Sequence, residues 1–140
     1  MKSKKKVDIF LFKIFILIIS ITSIIYVSTL YHFFSFDELL KRCKKKSNKY
    51  LSKSKVNTNP RLIFNISKKI NNILKIQSCF RICLSQKIIF AFFGFNVEIV
   101  CGIKRGDIDI LEGHAWITLN DSPLLSEGEK INDFVKSFVV

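Results

Sequence analysis

The chain has 140 residues and a formal net charge of +12, from 23 Lys/Arg against 11 Asp/Glu. This length allows one domain with a modest core and one additional segment. The charge is uneven, because residues 1–76 carry 17 basic and 3 acidic side chains, whereas residues 77–140 carry 6 and 8. The basic excess flanks a hydrophobic run and no recognised nucleic-acid module accompanies it, so nucleic acid is not expected as a partner.

A long apolar run follows the lysine-rich start. Residues 14–31 contain no Lys, Arg, Asp or Glu, and with the flanking phenylalanines the run meets the ~20 residues that a membrane-spanning helix needs. We expect residues 1–36 to form a lysine-rich start and one transmembrane helix in contact with membrane lipid. A cleaved signal peptide is the main alternative, but the first alanine, the usual residue at a cleavage site, is Ala91. A hydrophobic hairpin packed on the domain is a third interpretation.

The next segment, residues 37–60, is rich in lysine and predicts a basic juxtamembrane linker on anionic headgroups. Docking of an acidic leader peptide is the alternative role for these lysines. Basic residues occur on both sides of the apolar run, but the larger cluster follows it, which favours a cytoplasmic C-terminal domain. Asn57 to Pro60 breaks the chain and marks the start of a domain at 61–140. Helical spacing of apolar residues then predicts an amphipathic helix from Leu62 to Ile76.

A helix and two strands are predicted between residues 78 and 119. Ser78 is a natural N-cap, which places Cys79 in the first turn of a helix that ends at Gly94. Alternating side chains predict two strands, and a turn joins them; the strands span residues 96–104 and 112–119, and the turn spans residues 104–107. The second strand carries His114.

This order of elements predicts thiol chemistry. Cys79 lies at the positive end of the helix dipole, which favours the thiolate form. His114, on a neighbouring strand, could act as its base and later as the acid for a leaving amine. Cys83, one turn later, is the reserve nucleophile. A zinc site is disfavoured, because the cysteines lack paired C-x₂-C spacing.

Four stretches of the sequence also resemble one enzyme family. They are Cys79-Phe80-Arg81-Ile82-Cys83-Leu84, Gly94, Gly102-Ile103 and His114-Ala115-Trp116-Ile117. They resemble the transglutaminase-like leader peptidase of lasso-peptide biosynthesis, which is the C-terminal domain of the microcin-processing B proteins. The resemblance covers residues 60–135 and implies an α+β, papain/transglutaminase-like cysteine protease in which a helix precedes antiparallel strands. It also implies that Cys79 is the nucleophile and that His114 is its base.

The resemblance is less direct at two further positions. The family usually has arginine or glutamine where Ile82 stands here. Its third catalytic residue, an aspartate or glutamate, falls at or near Ser126. We predict Glu127 for this role, since it is the nearest acid on the following segment, with Asp121 in the preceding turn as the alternative.

The resemblance implies that the enzyme removes the leader from a ribosomally made precursor peptide before a macrolactam synthetase closes the ring. This step requires no metal, nucleotide or organic cofactor. Residues 1–60 are occupied by the apolar run and the linker, so leader recognition is expected from a separate protein, with an exporter as a further partner. Two alternatives remain: a non-catalytic, membrane-tethered peptide-binding scaffold on a degenerate fold, and acyl transfer or deamidation by the same triad.

Overall fold

A group of helices packs against one antiparallel sheet. A computed structural model describes residues 2–54, 58–106 and 110–140, with side chains from Asp8 onward. Within these ranges the helices are α1 (Lys2–Phe33), α2 (Phe36–Leu51), α3 (Pro60–Ile73) and α4 (Cys79–Phe92). The strands are β1 (Glu98–Arg105), β2 (Leu111–Leu119), β3 (Ser122–Leu124) and β4 (Val135–Val139). The predicted α+β class, a helix followed by antiparallel strands, is confirmed.

Helix α4 is the centre of the fold and begins at the predicted residue. Ser78 has an extended backbone, and its side chain accepts a hydrogen bond from the backbone N–H of Arg81, so the predicted N-cap is confirmed. Gly94, after the last turn, has φ +85°, a conformation that favours glycine. Because α4 contacts the other three helices as well as β1 and β2, nearly all of its side chains from Cys83 onward are buried.

The sheet has the strand order β3-β2-β1-β4, and all its pairs are antiparallel. In the β1–β2 pair, Gly102 lies opposite His114 and Cys101 lies opposite Ala115. Alternate residues of these two strands, and the residue before β1, join the hydrophobic core together with α4: Val97, Ile99, Cys101, Ala115 and Ile117. The apolar C-terminal tail, which the sequence pattern does not place, forms the edge strand β4 beside β1.

Helix α2 (Phe36–Leu51) occupies most of residues 37–60, the segment that the sequence predicts as a basic linker. Ser35 caps the helix by accepting a hydrogen bond from the backbone N–H of Glu38, and two acidic residues occupy its first turn. The buried side chains recur every four residues: Leu39, Cys43 and Ser47. This stripe packs on α4, while most of the lysines between its members are exposed.

Helix α1 is long and apolar enough between Asp8 and Phe33 to cross a membrane, judged by length and composition. It also belongs to the core, because one stripe of the helix is buried and α1 packs on α3 and α4. The buried residues are Ile16, Ser20, Ser23, Ile24, Val27 and Leu30. Other large apolar side chains of α1 are exposed, among them Phe10, Leu11, Ile18 and Ile25. That α1 crosses a membrane stays a prediction.

Helix α3 matches the predicted amphipathic helix but begins two residues earlier. Asn59 caps it, accepting a hydrogen bond of 2.8 Å from the backbone N–H of Arg61. Asn57, at the predicted domain boundary, and Asp107, in the predicted turn between the strands, lie outside the described residues.

Candidate active site

Cys79 and His114 line one open cleft at the N-terminal end of α4, here called the Cys79 cleft. Its volume is about 390 Å³. The other residues that line it come from α1, α2, α4, the sheet and their ends: Tyr31, Phe36, Ser78, Phe80, Cys101, Gly102, Ile103, Gly113, Ala115, Ser137 and Phe138. The hydrogen bonds of residues 58–106 and 110–140 include none between Cys79 and His114; the one from the imidazole goes to Glu129.

The carboxylate of Glu129 contacts one ring nitrogen of His114. Nε2 of His114 lies 3.1 Å from Oε1 of Glu129. The second oxygen of Glu129 accepts hydrogen bonds from the backbone N–H of Ser126, at 2.9 Å, and from Nζ of Lys68, at 3.3 Å. Lys68 also donates to the Ser126 hydroxyl. Glu129 is therefore fixed by groups from β2, from α3 and from its own loop.

These contacts set the charge of Glu129 and the tautomer of His114. Burial alone would raise the pKa of Glu129, but hydrogen bonds from Ser126 and His114 and the charge of Lys68 outweigh it and lower the pKa below 4.5. The ionised carboxylate accepts from Nε2–H, which leaves Nδ1 as the acceptor of a neutral ring. A general base for a thiol needs such a free nitrogen.

The acid beside His114 is Glu129 rather than Glu127, which the sequence predicts for this place. Glu127 is exposed, and so is the alternative, Asp121, in the turn between β2 and β3. The prediction of an acid at or near Ser126 is close in sequence but selects the wrong glutamate, and the conformation of the loop explains why.

A tight turn carries Glu129 back to Ser126. The backbone N–H of Glu129 donates to the carbonyl of Ser126 at 3.1 Å. Gly128, between them, has φ +79°, as the third residue of a type II turn requires. This reversal directs the Glu129 side chain to the backbone N–H of Ser126 and to His114. Gly128 is the residue from which this turn could have been predicted in the sequence.

Aromatic rings support the other side of His114. The imidazole stacks on Trp116, with ring centroids 6.1 Å apart and planes at 26°, and its centroid lies 5.4 Å from that of Phe134. A Cβ at Gly102 would lie 2.9 Å from Trp116 and 3.0 Å from Phe134, so glycine leaves room for both rings. Trp116 is two residues after His114 on β2, so the alternation of a strand places both side chains on one face. Phe134 lies in the C-terminal tail, which the sequence pattern does not place.

A family model agrees with this architecture. The model, described as the transglutaminase-like superfamily, matches residues 24–139, which is most of the chain. The chain belongs to the transglutaminase-like superfamily. The match begins inside α1 and includes α2, so the matched unit extends beyond the predicted domain at 61–140. No similar curated protein and no similar solved structure was found.

Of the four cysteines in this transglutaminase-like domain, Cys79 is the accessible one. Cys43, Cys83 and Cys101 are buried, whereas Cys79 is partly exposed. Burial raises the pKa of Cys43 and of Cys101 to about 11, and it raises the pKa of the reserve candidate Cys83 as well. These three thiols are therefore protonated at neutral pH. The catalytic roles of Cys79 and His114 stay predictions.

Ile82 lines a second, smaller cavity of about 100 Å³ between α3, α4 and β2. Lys68 and Glu129 are also in its wall. A basic side chain is thus present in this cavity, although it comes from α3 instead of the position of Ile82. Lys68 could not be singled out from the sequence, where it is one of several polar residues in the predicted amphipathic helix.

Proposed function

We propose that this chain is a cysteine peptidase that removes the leader from a ribosomally made precursor peptide in lasso-peptide biosynthesis. The observation that carries the proposal is the shared cleft of Cys79, at a helix N-terminus, and His114, whose Nε2 contacts Glu129. Membership of the transglutaminase-like superfamily supports a thiol mechanism. The narrower assignment to leader removal rests on the resemblance from Cys79 to Gly102 and at His114-Ala115-Trp116.

The proposed reaction passes through an acyl-enzyme. Nδ1 of His114 takes the proton of Cys79, and the sulfur attacks the scissile carbonyl carbon. The backbone N–H of Cys79, in a helix turn whose amides lack intrahelical partners, helps to bind the oxyanion. His114 then protonates the departing amine and activates the water that hydrolyses the thioester, which restores the thiol. Glu129 keeps Nδ1 available by accepting from Nε2–H.

The proposed partners follow from this step. A separate protein recognises the leader, and a macrolactam synthetase closes the ring on the released core peptide before an exporter removes the product from the cell. We also propose that α1 anchors the domain to the cytoplasmic side of the membrane, where a ribosomally made precursor is accessible. The exposed apolar side chains of α1 supply the surface for this contact.

The test is cleavage of a defined precursor. The detergent-solubilised protein is incubated with a candidate precursor peptide and a leader-recognition protein, and the products are mapped by mass spectrometry. We expect cleavage between leader and core by the wild type, none by Cys79→Ala or His114→Ala, and cleavage by the matched variant Cys83→Ala. Binding of the leader without cleavage would support the scaffold alternative, and a core joined to an added amine would support acyl transfer.

A further inference from the structure

The apolar character of the Cys79 cleft has a bearing on the substrate. Large apolar side chains from five elements line it: Tyr31 from α1, Phe36 at the start of α2, Phe80 from α4, Ile103 from β1 and Phe138 from β4. The residues that line the cleft all lie in the described ranges, and none of them is Asp, Glu, Lys or Arg. Charged substrate groups would lose hydration there, and none of the lining residues offers them an opposite charge.

Four of the apolar residues that line the cleft are exposed to solvent. Tyr31 is 49% exposed, Phe36 51%, Ile103 43% and Phe138 47%. Apolar side chains grouped in this way around a concave site typically mark a place where a ligand binds. The occupant must also reach Cys79 and His114, which lie in the same wall. A peptide bond held at Cys79 and His114 therefore lies beside the Cys79 cleft, and also beside the smaller cavity that the same two residues line.

We propose that the Cys79 cleft binds a large apolar side chain of the peptide substrate, aromatic or long aliphatic, next to the scissile bond. This inference rests on the proposed function and adds its substrate class. Burial of such a side chain removes apolar surface from water on both partners, which favours peptides that carry it over those with glycine or an acidic residue at that position.

The test measures selectivity at Cys79 itself, without a precursor. Acetyl-phenylalanyl, acetyl-glycyl and acetyl-aspartyl chloromethyl ketones alkylate the thiolate: the S–C bond forms and chloride leaves. Alkylation of Cys79 is followed by mass spectrometry, and each rate is divided by the iodoacetamide rate of the same variant. We expect the phenylalanyl probe to exceed the glycyl probe by about tenfold or more and the aspartyl probe to be slowest.

Two neighbouring residues give a matched comparison of variants. Phe138 lines the cleft, whereas Val139, which is 53% exposed, does not. Phe138→Ser should move the phenylalanyl-to-glycyl ratio towards one, and Val139→Ser should keep the wild-type ratio. Ile103→Ser, from the other strand of the wall, is the second variant and should act like Phe138→Ser.

Failure of the cleft assignment and failure of the proposed function give different results. If iodoacetamide labels Cys79 rapidly and in a His114-dependent way but the wild-type probe ratio is close to one, the apolar assignment is wrong and the peptidase proposal stands. The apolar assignment is also wrong if neither Phe138→Ser nor Ile103→Ser changes the ratio. If iodoacetamide reacts with Cys79 at an ordinary thiol rate that His114→Ala does not change, both proposals fail.

Discussion

At the scale of single residues, Glu129 connects three separate parts of the domain. Its carboxylate contacts His114 on β2, Lys68 on α3 and the backbone N–H of Ser126 in its own loop. Each contact favours the ionised carboxylate, and that charge in turn favours a proton on Nε2 of His114. The orientation of the imidazole therefore depends on a glutamate that is not itself expected to touch the substrate.

Glu129→Gln tests this dependence with a side chain of nearly equal size. An amide can donate to Nε2 as well as accept from it, so the favoured tautomer of His114 is lost, and we expect the rate of precursor cleavage to fall on the order of 100-fold. The matched control is Glu127→Gln, two residues earlier and exposed, which should keep the wild-type rate. Equal losses in the two variants would contradict the role given to Glu129.

The lowered pKa of Glu129 also predicts a pH dependence of stability. A carboxyl whose pKa is lower in the folded state contributes stability above its unfolded value, near 4.5, and loses that contribution as the pH falls through the folded value. The difference in urea midpoint between wild type and Glu129→Gln should be constant at neutral pH and shrink below about pH 4.5. A difference that stays constant into the acid range would show that the carboxylate is not stabilised in the fold.

At the scale of helices and strands, the site depends on close packing between β1 and β2. Gly102 lies opposite His114 in the register, and its lack of a side chain makes room for Trp116 and Phe134. These two rings in turn contact the imidazole. The position of His114 is thus fixed on one side by an acid and on the other by aromatic packing that a glycine permits.

Gly102→Ala should disturb this packing. The added Cβ would lie 2.9 Å from Trp116, so the ring must shift, and we expect a loss of about 1–3 kcal/mol in the free energy of unfolding. Gly113→Ala is the control on the partner strand, since a Cβ there meets nothing within 4 Å. Urea denaturation of both variants measures the difference. Equal stability of the two variants would contradict the packing argument.

The sequence predicts a helix or strand best where capping residues or alternating side chains mark it. Ser78 and Gly94 mark the ends of α4, and alternating side chains identify β1 and β2, although four consecutive residues of each strand are buried. Helix α2 was missed because its lysines conceal the short buried stripe from Leu39 to Ser47. The edge strand β4 was missed because all five of its residues are exposed, which leaves no alternation to detect.

The residues of the candidate site were likewise predicted only in part from the sequence. Cys79 and His114 can be identified from the order of elements and from the resemblance, since their positions depend on a helix start and a strand. Glu129 could not be selected over Glu127, because the choice depends on the turn at Gly128. Lys68 is distant in sequence, on α3, and only the packed helices bring it to Glu129.

At the scale of the whole molecule, α2 packs against α1. This contact limits how α1 can be placed in or on a membrane. Nζ of Lys46 lies 3.5 Å from the centroid of the Tyr26 ring, and the rings of Tyr50 and Phe15 both contact Phe92. Lysines are costly in the hydrocarbon core of a bilayer. If α1 crosses the bilayer, it must either separate from α2 or bring Lys46 and the other lysines of α2 into the bilayer.

These contacts favour an alternative to the predicted crossing, in which the exposed face of α1 lies along the membrane surface while α2 and α4 remain packed on it. The protein should float with anionic vesicles, and Phe10→Asp combined with Ile18→Asp should abolish flotation. Ile73→Asp with Leu74→Asp, exposed apolar residues near the end of α3, is the control and should still float. Sodium carbonate should extract the protein from native membranes, whereas resistance to carbonate would indicate a helix that crosses them.

The most direct test of the catalytic account is the reactivity of Cys79. The detergent-solubilised protein is treated with limiting iodoacetamide near neutral pH, and the modified cysteine is mapped by mass spectrometry. We predict rapid, selective labelling of Cys79, since burial raises the pKa of Cys43, Cys83 and Cys101, and slower labelling in His114→Ala. Labelling of Cys79 at an ordinary thiol rate, unchanged by His114→Ala, would contradict the account of an activated thiolate–imidazole pair.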